Sequence, residues 1–115
     1  MNNEEIRLYC LSKAHSTESL PFDDQTLVFK VGGKMFAVLS LDEPVMALKA
    51  KPEEIPFRME HYAEVKPARY FDKRHWHAVQ LDALSSSDVL RDWIDHSYRC
   101  IVEGLTKKLR NELGL

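Results

Sequence analysis

Between Lys66 and His77 the chain carries Lys66, Arg69, Lys73 and Arg74 against one acid, Asp72, a local charge of +3. Tyr70, Phe71 and Trp76 interleave with these cations, and His75 and His77 flank the tryptophan. Basic side chains pair with phosphate oxygens, and exposed rings stack on bases or wedge into a groove. The bland arrangement of the same residues is a solvated loop and strand whose aromatics anchor a sheet, which is the commoner fate of a charge run. Trp76 in particular reads as core. A second cationic feature is Lys30 and Lys34 on either side of Gly32-Gly33. A glycine hairpin with flanking lysines suits a wing laid on a phosphate backbone, while lysine equally keeps an edge strand from pairing with a neighbour. The candidate nucleic-acid contacts are therefore Lys30, Lys34, Lys66, Arg69, Lys73, Arg74 and His75.

Other chemistries find less support. His75 and His77 are two apart and share a strand face, with His61 nearby, and His-x-His can begin a metal site. Only Asp72 stands near them at ligand spacing, so no metal is expected. The paired glycines are explained by turn geometry, and neither a GxxxxGK nor a GxGxxG phosphate loop is present. There is no GxSxG elbow and no HExxH. Asp23-Asp24 and Glu53-Glu54 read as turn and first-turn helix acids. Cys10 lies near His15 in sequence but on an inward helical face. Ser97 reads as a small residue that permits close packing, and Tyr98 as a packed ring whose hydroxyl finds a partner. The rival view makes Tyr98, Trp76 and His75 the lining of a small-molecule pocket. No catalytic residue and no cofactor is expected, and the chain reads as a binding protein, not an enzyme.

The elements that would position these residues follow from periodicity. Asn2 or Asn3 can cap a helix with Glu4 and Glu5 in its first turn and Ile6, Tyr9, Cys10 and Lys13 on one face, fading near Ala14. Ser16 to Asp24 reads as an irregular connection with room for a short extended piece. Thr26–Val31 and Lys34–Leu41 alternate as strands around Gly32-Gly33, a two-residue hairpin signal. The second strand sets Met35, Ala37 and Leu39 against Phe36, Val38 and Ser40. Asp42-Glu43-Pro44 turns the chain into a third strand, Val45–Ala50. A short helix is expected to start close to Pro56, where proline is tolerated, and to end near Tyr62. Glu64 to Phe71 is extended or irregular, and His75–Leu81 is a strand. Ser85 to Asp88 caps a last helix whose apolar stripe runs from Leu90 to Leu113, with Gly104 in mid-helix and Lys107, Lys108 and Arg110 at its negative end.

The expectation is an α+β two-layer sandwich, an antiparallel sheet with helices on one face in the order α-β(3)-α-β(2)-α, forming one domain over residues 1–115. With 115 residues, 44% apolar and 30% charged, the composition is that of a globular protein. Sixteen Lys+Arg against 18 Asp+Glu leave a net charge of -2, so a polyanion site has to be a local patch. Cys10 and Cys100 read as two small buried hydrophobes, not as a disulfide. The acidic start lacks a signal-peptide pattern and the longest apolar run, Met35 to Leu39, is far too short to span a membrane, so the expected location is cytoplasmic.

Several of these segments resemble the MmcQ/YjbR family of small bacterial proteins. They are Gly33-Lys34-Met35-Phe36-Ala37; Val65-Lys66-Pro67-Ala68-Arg69-Tyr70 followed by Lys73, His75-Trp76 and Val79-Gln80-Leu81-Asp82; Ser97-Tyr98 ahead of Lys107-Lys108-Leu109-Arg110; and Arg7-Leu8-Tyr9-Cys10-Leu11-Ser12. They stand in family order and cover nearly the whole chain. The resemblance implies a sandwich similar to type III secretion chaperones, with a sheet region likened to a double-wing DNA-binding module. It implies DNA or another protein as the partner, and it carries over no enzymatic activity and no catalytic residue. The slightly acidic charge of this chain departs from a simple DNA-binding pattern.

Overall fold

The sheet is built outward from the hairpin at Gly32-Gly33. The structure, a computed structural model, describes residues 1–115. Strands β2 (Thr26–Val31) and β3 (Lys34–Ser40) meet at this turn, where both glycines have positive φ, 59° and 79°, as a two-residue turn of matching twist requires. β4 (Val45–Lys49) continues the antiparallel meander. β1 (Thr17–Ser19) is the short extended piece for which the Ser16–Asp24 connection has room, and it pairs along β2. β5 (Val65–Pro67) and β6 (Trp76–Gln80) complete a six-stranded sheet in the order β1-β2-β3-β4-β6-β5. The sheet is antiparallel throughout, so the fold is α+β.

The expected alternation in β3 is broken by a bulge. The register shifts at Phe29/Lys30, so Phe29 faces Ala37 while Lys30 faces Met35. The extra residue lets Phe36 join Ala37 and Leu39 in the helix-side core and leaves Met35 with Val38 on the opposite face.

Helix α1 (Asn3–Leu11) starts with a capping box: Asn2 Oδ1 accepts from the Glu5 amide at 2.8 Å, and Glu5 Oε1 accepts from the Asn2 amide at 3.1 Å. Its buried residues, Ile6 and Cys10, are one turn apart. Helix α2 (Glu54–His61) holds Pro56 in its first turn, where the missing N–H has no carbonyl to serve, and buries Ile55 and Arg58. Helix α3 (Ser87–Gly104) is capped by Ser86 and buries Leu90, Trp93, Ile94, Ser97 and Ile101 against β2, β3 and β4. Eighteen residues span about 27 Å, enough to cross these strands.

The single last helix expected from the apolar stripe is instead two. α3 stops at Gly104, Leu105 leaves in an extended conformation, and Thr106 caps a new helix, α4 (Lys107–Leu113), its Oγ1 accepting from the Leu109 amide at 3.1 Å. Lys107 and Lys108 therefore stand at a helix start and not at a helix end. Glycine weakens helix continuation, and threonine is a good cap. The break turns Leu105 into the core over the hairpin tip, where its methyls lie 2.8 and 2.9 Å from the point a Cβ on Gly32 would occupy.

Ser97 does more than permit close packing. Its hydroxyl donates to the carbonyl of Phe36 and accepts from the amide of Lys49 at 2.9 Å. It thus serves two backbone groups beside the bulge. Tyr98 packs edge-on against Phe36 and donates to the Ala14 carbonyl at 2.6 Å, which ties the turn after α1 to α3. Lys13 pairs with Asp95 across the same seam, and Tyr9 Oη donates to Asp95 at 2.6 Å. Cys10 is fully buried and Cys100 partly so, and both are free thiols.

Candidate functional site: a trough on the helix-free sheet face

Strand pairing lays one row of side chains across the face opposite α3. Val28 stands beside Val38, Val38 beside Ala47, Ala47 beside Ala78, and Ala78 beside Lys66 on the edge strand. Beyond β5 the chain folds back over this face, burying Ala68 and stacking Phe71 on Trp76 with ring centroids 4.9 Å apart. Trp76 is thus core, as its type suggests, but in the smaller cluster with Val28, Val38 and Ala47. Val28 is fully buried, and Val38, Ala47 and Ala78, 6–9% exposed, lie at the bottom of an open trough of about 950 Å³.

The trough has chemically distinct sides. The segment from edge strand β5 supplies Lys66, Arg69, Tyr70 and Phe71. The segment entering β2 supplies Phe22 and Asp23, from the far side of the sheet order, and the β3–β4 turn supplies Asp42 and Glu43 at the strand ends in mid-sheet. Its floor includes Val38, Ala47 and Ala78. Tyr70 is 90% exposed and Phe22 64%, and neither ring stacks on another aromatic. The Asp23 carboxyl is held below the usual carboxylate range, chiefly by hydrogen bonds from the Gln25 amide and from Thr26, so it is an anion at neutral pH.

The seven candidate contacts fall into separate groups. Lys66 and Arg69 border the trough. Lys30 pairs with Met35 and so lies on the same face, nearer the hairpin. Lys34 pairs with Val31, whose side chain is in the helix-side core, so it projects to the other face. Lys73 and Arg74 line a separate open cleft of about 510 Å³ against Pro52, Ile55, Pro56 and Met59. His75 is held by Asp72, Nδ1 to Oδ2 2.8 Å. Hydrogen bonds from the Arg74 amide and then from His75 lower the Asp72 carboxyl. None of Lys30, Lys34, Lys66, Arg69, Lys73 and Arg74 enters an ion pair, whereas Arg7, Lys13, Arg58 and Arg91 each do. The acidic side and Phe22 escaped the sequence reading. Asp23, Asp42 and Glu43 read in sequence as turn residues, and that they share a trough with Lys66 and Arg69 follows from strand pairing, which is not written in sequence.

His75 and His77 do not act as a pair. His77 is buried on the helix side, where Arg58 Nη1 lies 2.9 Å from its Nε2 and Trp93 packs edge-on against it. An arginine only donates, so Nε2 accepts and the ring proton sits on Nδ1, 3.3 Å from the Ala78 carbonyl oxygen. Burial, reinforced by the Arg58 charge, pushes the His77 pKa down to about 4. No group of three His, Cys, Asp or Glu is arranged to hold a metal ion. The suggested pocket of Tyr98, Trp76 and His75 does not form, because Trp76 and Tyr98 belong to cores on opposite faces of the sheet. No helix is long and apolar enough to cross a membrane.

Comparison with known proteins agrees with this architecture. The chain is 34% identical over 90 residues to the uncharacterized protein YbdF of Escherichia coli O157:H7, covering 76% of this chain and 74% of that one. It is 29% identical over 115 residues to the uncharacterized protein YjbR of Escherichia coli K12, covering 98% of each. The crystal structure of Deinococcus radiodurans protein DR2400, a DUF419 domain, superposes with a TM-score of 0.88 at 35% identity, over 97% of this chain and 87% of that one. A Pseudomonas syringae protein structure shares the fold at a TM-score of 0.77 and 22% identity, over 87% of this chain and 98% of that one. The YjbR family model matches residues 11–100, and the chain belongs to the YjbR family.

Proposed function

We propose that this protein is a non-enzymatic binding module that holds DNA against the segment Lys66–His75 and the adjoining trough. The observation that carries this reading is that Lys66 and Arg69, free of ion pairs, stand at an open trough beside a Tyr70 ring that is 90% exposed. Free cations bind phosphate without first giving up a protein carboxylate, and an unpartnered ring offers a face for a base. Lys73 and Arg74 extend the cationic surface, and Lys30 adds to it near the hairpin.

The test is fluorescence anisotropy with labelled DNA, single-stranded and duplex, across a salt series. Binding that weakens on a log-log slope worth several phosphates supports the reading. The triple variant Arg69→Glu, Lys73→Glu, Arg74→Glu is expected to abolish binding while leaving the thermal midpoint nearly unchanged, because all three side chains are exposed. Absence of binding to either form at low salt, or unchanged affinity in the triple variant, ends the assignment.

A second reading rests on a different observation. The trough joins an apolar floor to Asp23, Asp42 and Glu43 as well as to Lys66 and Arg69, a lining that suits an extended polypeptide segment of mixed charge. Protein capture that survives the triple variant and fails in an Ala47→Lys variant favours this reading over DNA.

A further inference from the structure

The DNA-binding reading leaves open which form of the polymer the trough accepts, and the arrangement of its charges bears on that choice. Lys66 and Arg69 line the trough on the side fed by β5, and Asp23, Asp42 and Glu43 also line it, Asp23 from the segment entering β2 and the other two from the β3–β4 turn. A duplex presents two phosphate strands, one of which would run along the carboxylates. A single strand presents one, which can follow Lys66 and Arg69 and leave its bases over the trough. The floor is narrow: Ala47 and Ala78 are only 8% and 9% exposed, so bases would seat at the trough's rim against the exposed rings and not flat on the sheet. Exposed rings at Tyr70 and Phe22 meet base faces only where bases are unstacked, which is costly in a duplex and nearly free in a single strand.

We infer that the trough binds single-stranded nucleic acid in preference to duplex, with the backbone along Lys66 and Arg69, bases stacked on Tyr70 and Phe22, and Asp23, Asp42 and Glu43 facing base edges. This rests on the DNA-binding reading above. The acidic side also implies a base preference. A carboxylate accepts from the cytosine amino group, whereas the N3–H of an unpaired thymine sits between two carbonyl oxygens that repel a carboxylate.

The experiment compares labelled oligodeoxycytidine and oligothymidine of about 12 nucleotides with a mixed-sequence duplex of equal length, a span within the range of known single-strand platforms. Single strands are expected to bind at least tenfold more tightly than duplex at equal salt, with cytidine tighter than thymidine. Tyr70→Ala is expected to weaken single-strand binding about tenfold, a change that a purely electrostatic contact would not produce. The double variant Asp42→Asn, Glu43→Gln is expected to narrow both the duplex penalty and the cytidine preference. A circular-dichroism melt checks that each exposed-site variant is folded. Duplex binding as tight as single-strand binding, or Tyr70→Ala without effect, overturns this inference while DNA binding stands. No binding to any of the three probes overturns both.

Discussion

Lowering the pH from 7.5 to 5 should cost this protein about 2 kcal/mol through one side chain, His77. The ring is fully buried, accepts a hydrogen bond from Arg58, and has its pKa pushed down to about 4 from an ordinary 6.5. Between those values the unfolded chain binds a proton that the folded one refuses, so stability falls as pH falls through this window. At about 1.4 kcal/mol per pH unit, the penalty is negligible at pH 7.5, reaches about 2 kcal/mol at pH 5, and levels off near 3.4 kcal/mol below pH 4. The assay is urea unfolding at a series of pH values for the wild type and for His77→Gln, which keeps an acceptor for Arg58 but does not titrate. The variant should be less stable at pH 7.5 and lose about 2 kcal/mol less than wild type on acidification. Comparing the two chains removes the contribution of other acids. Parallel stability curves, or an NMR titration of His77 centred near 6.5, would refute the reasoning.

Three further outcomes follow from the packing. Gly32→Ala should destabilise by about 1–3 kcal/mol, and more than Gly33→Ala, in chemical denaturation: both have positive φ, but only Gly32 lies under the Leu105 methyls. Ser97→Ala should cost about 1–3 kcal/mol by leaving the Phe36 carbonyl and Lys49 amide without their partner, with unchanged oligonucleotide affinity in the anisotropy assay. In native protein at pH 8, a thiol reagent should label Cys100 and spare Cys10 until denaturant is added, because burial removes Cys10 from solvent and pushes its thiol up to about 12.

Local periodicity and strand pairing specify different parts of this fold. Asn2 followed by Glu5, the paired glycines between alternating strands, and Pro56 near a helix start are local signals, and each element stands where its signal placed it. The stripe from Leu90 to Leu113 was legible as apolar but not as two helices, since Leu105 and Leu109 remain core-facing on both sides of the break. The bulge at Phe36 likewise hides within a run that is apolar at every position. Of the candidate contacts, the free cations were identified by type, but their division between the trough, the helix-side face and the cleft by α2 was not.

What the amino-acid sequence by itself determined was the material of the site: four cations and three aromatic residues within one short segment, two strands around a glycine turn, and an overall charge too small to bind a polyanion except locally. Only the tertiary structure decided which of them share a face. Strand pairing set Ala47 and Ala78 side by side, the return of the chain stacked Phe71 on Trp76 over this face, and distant turns brought Asp23, Asp42 and Glu43 into the same trough as Lys66 and Arg69. The reason is physical: side-chain type and spacing act over a turn or a strand, whereas the register of six strands is chosen by burial across the whole core.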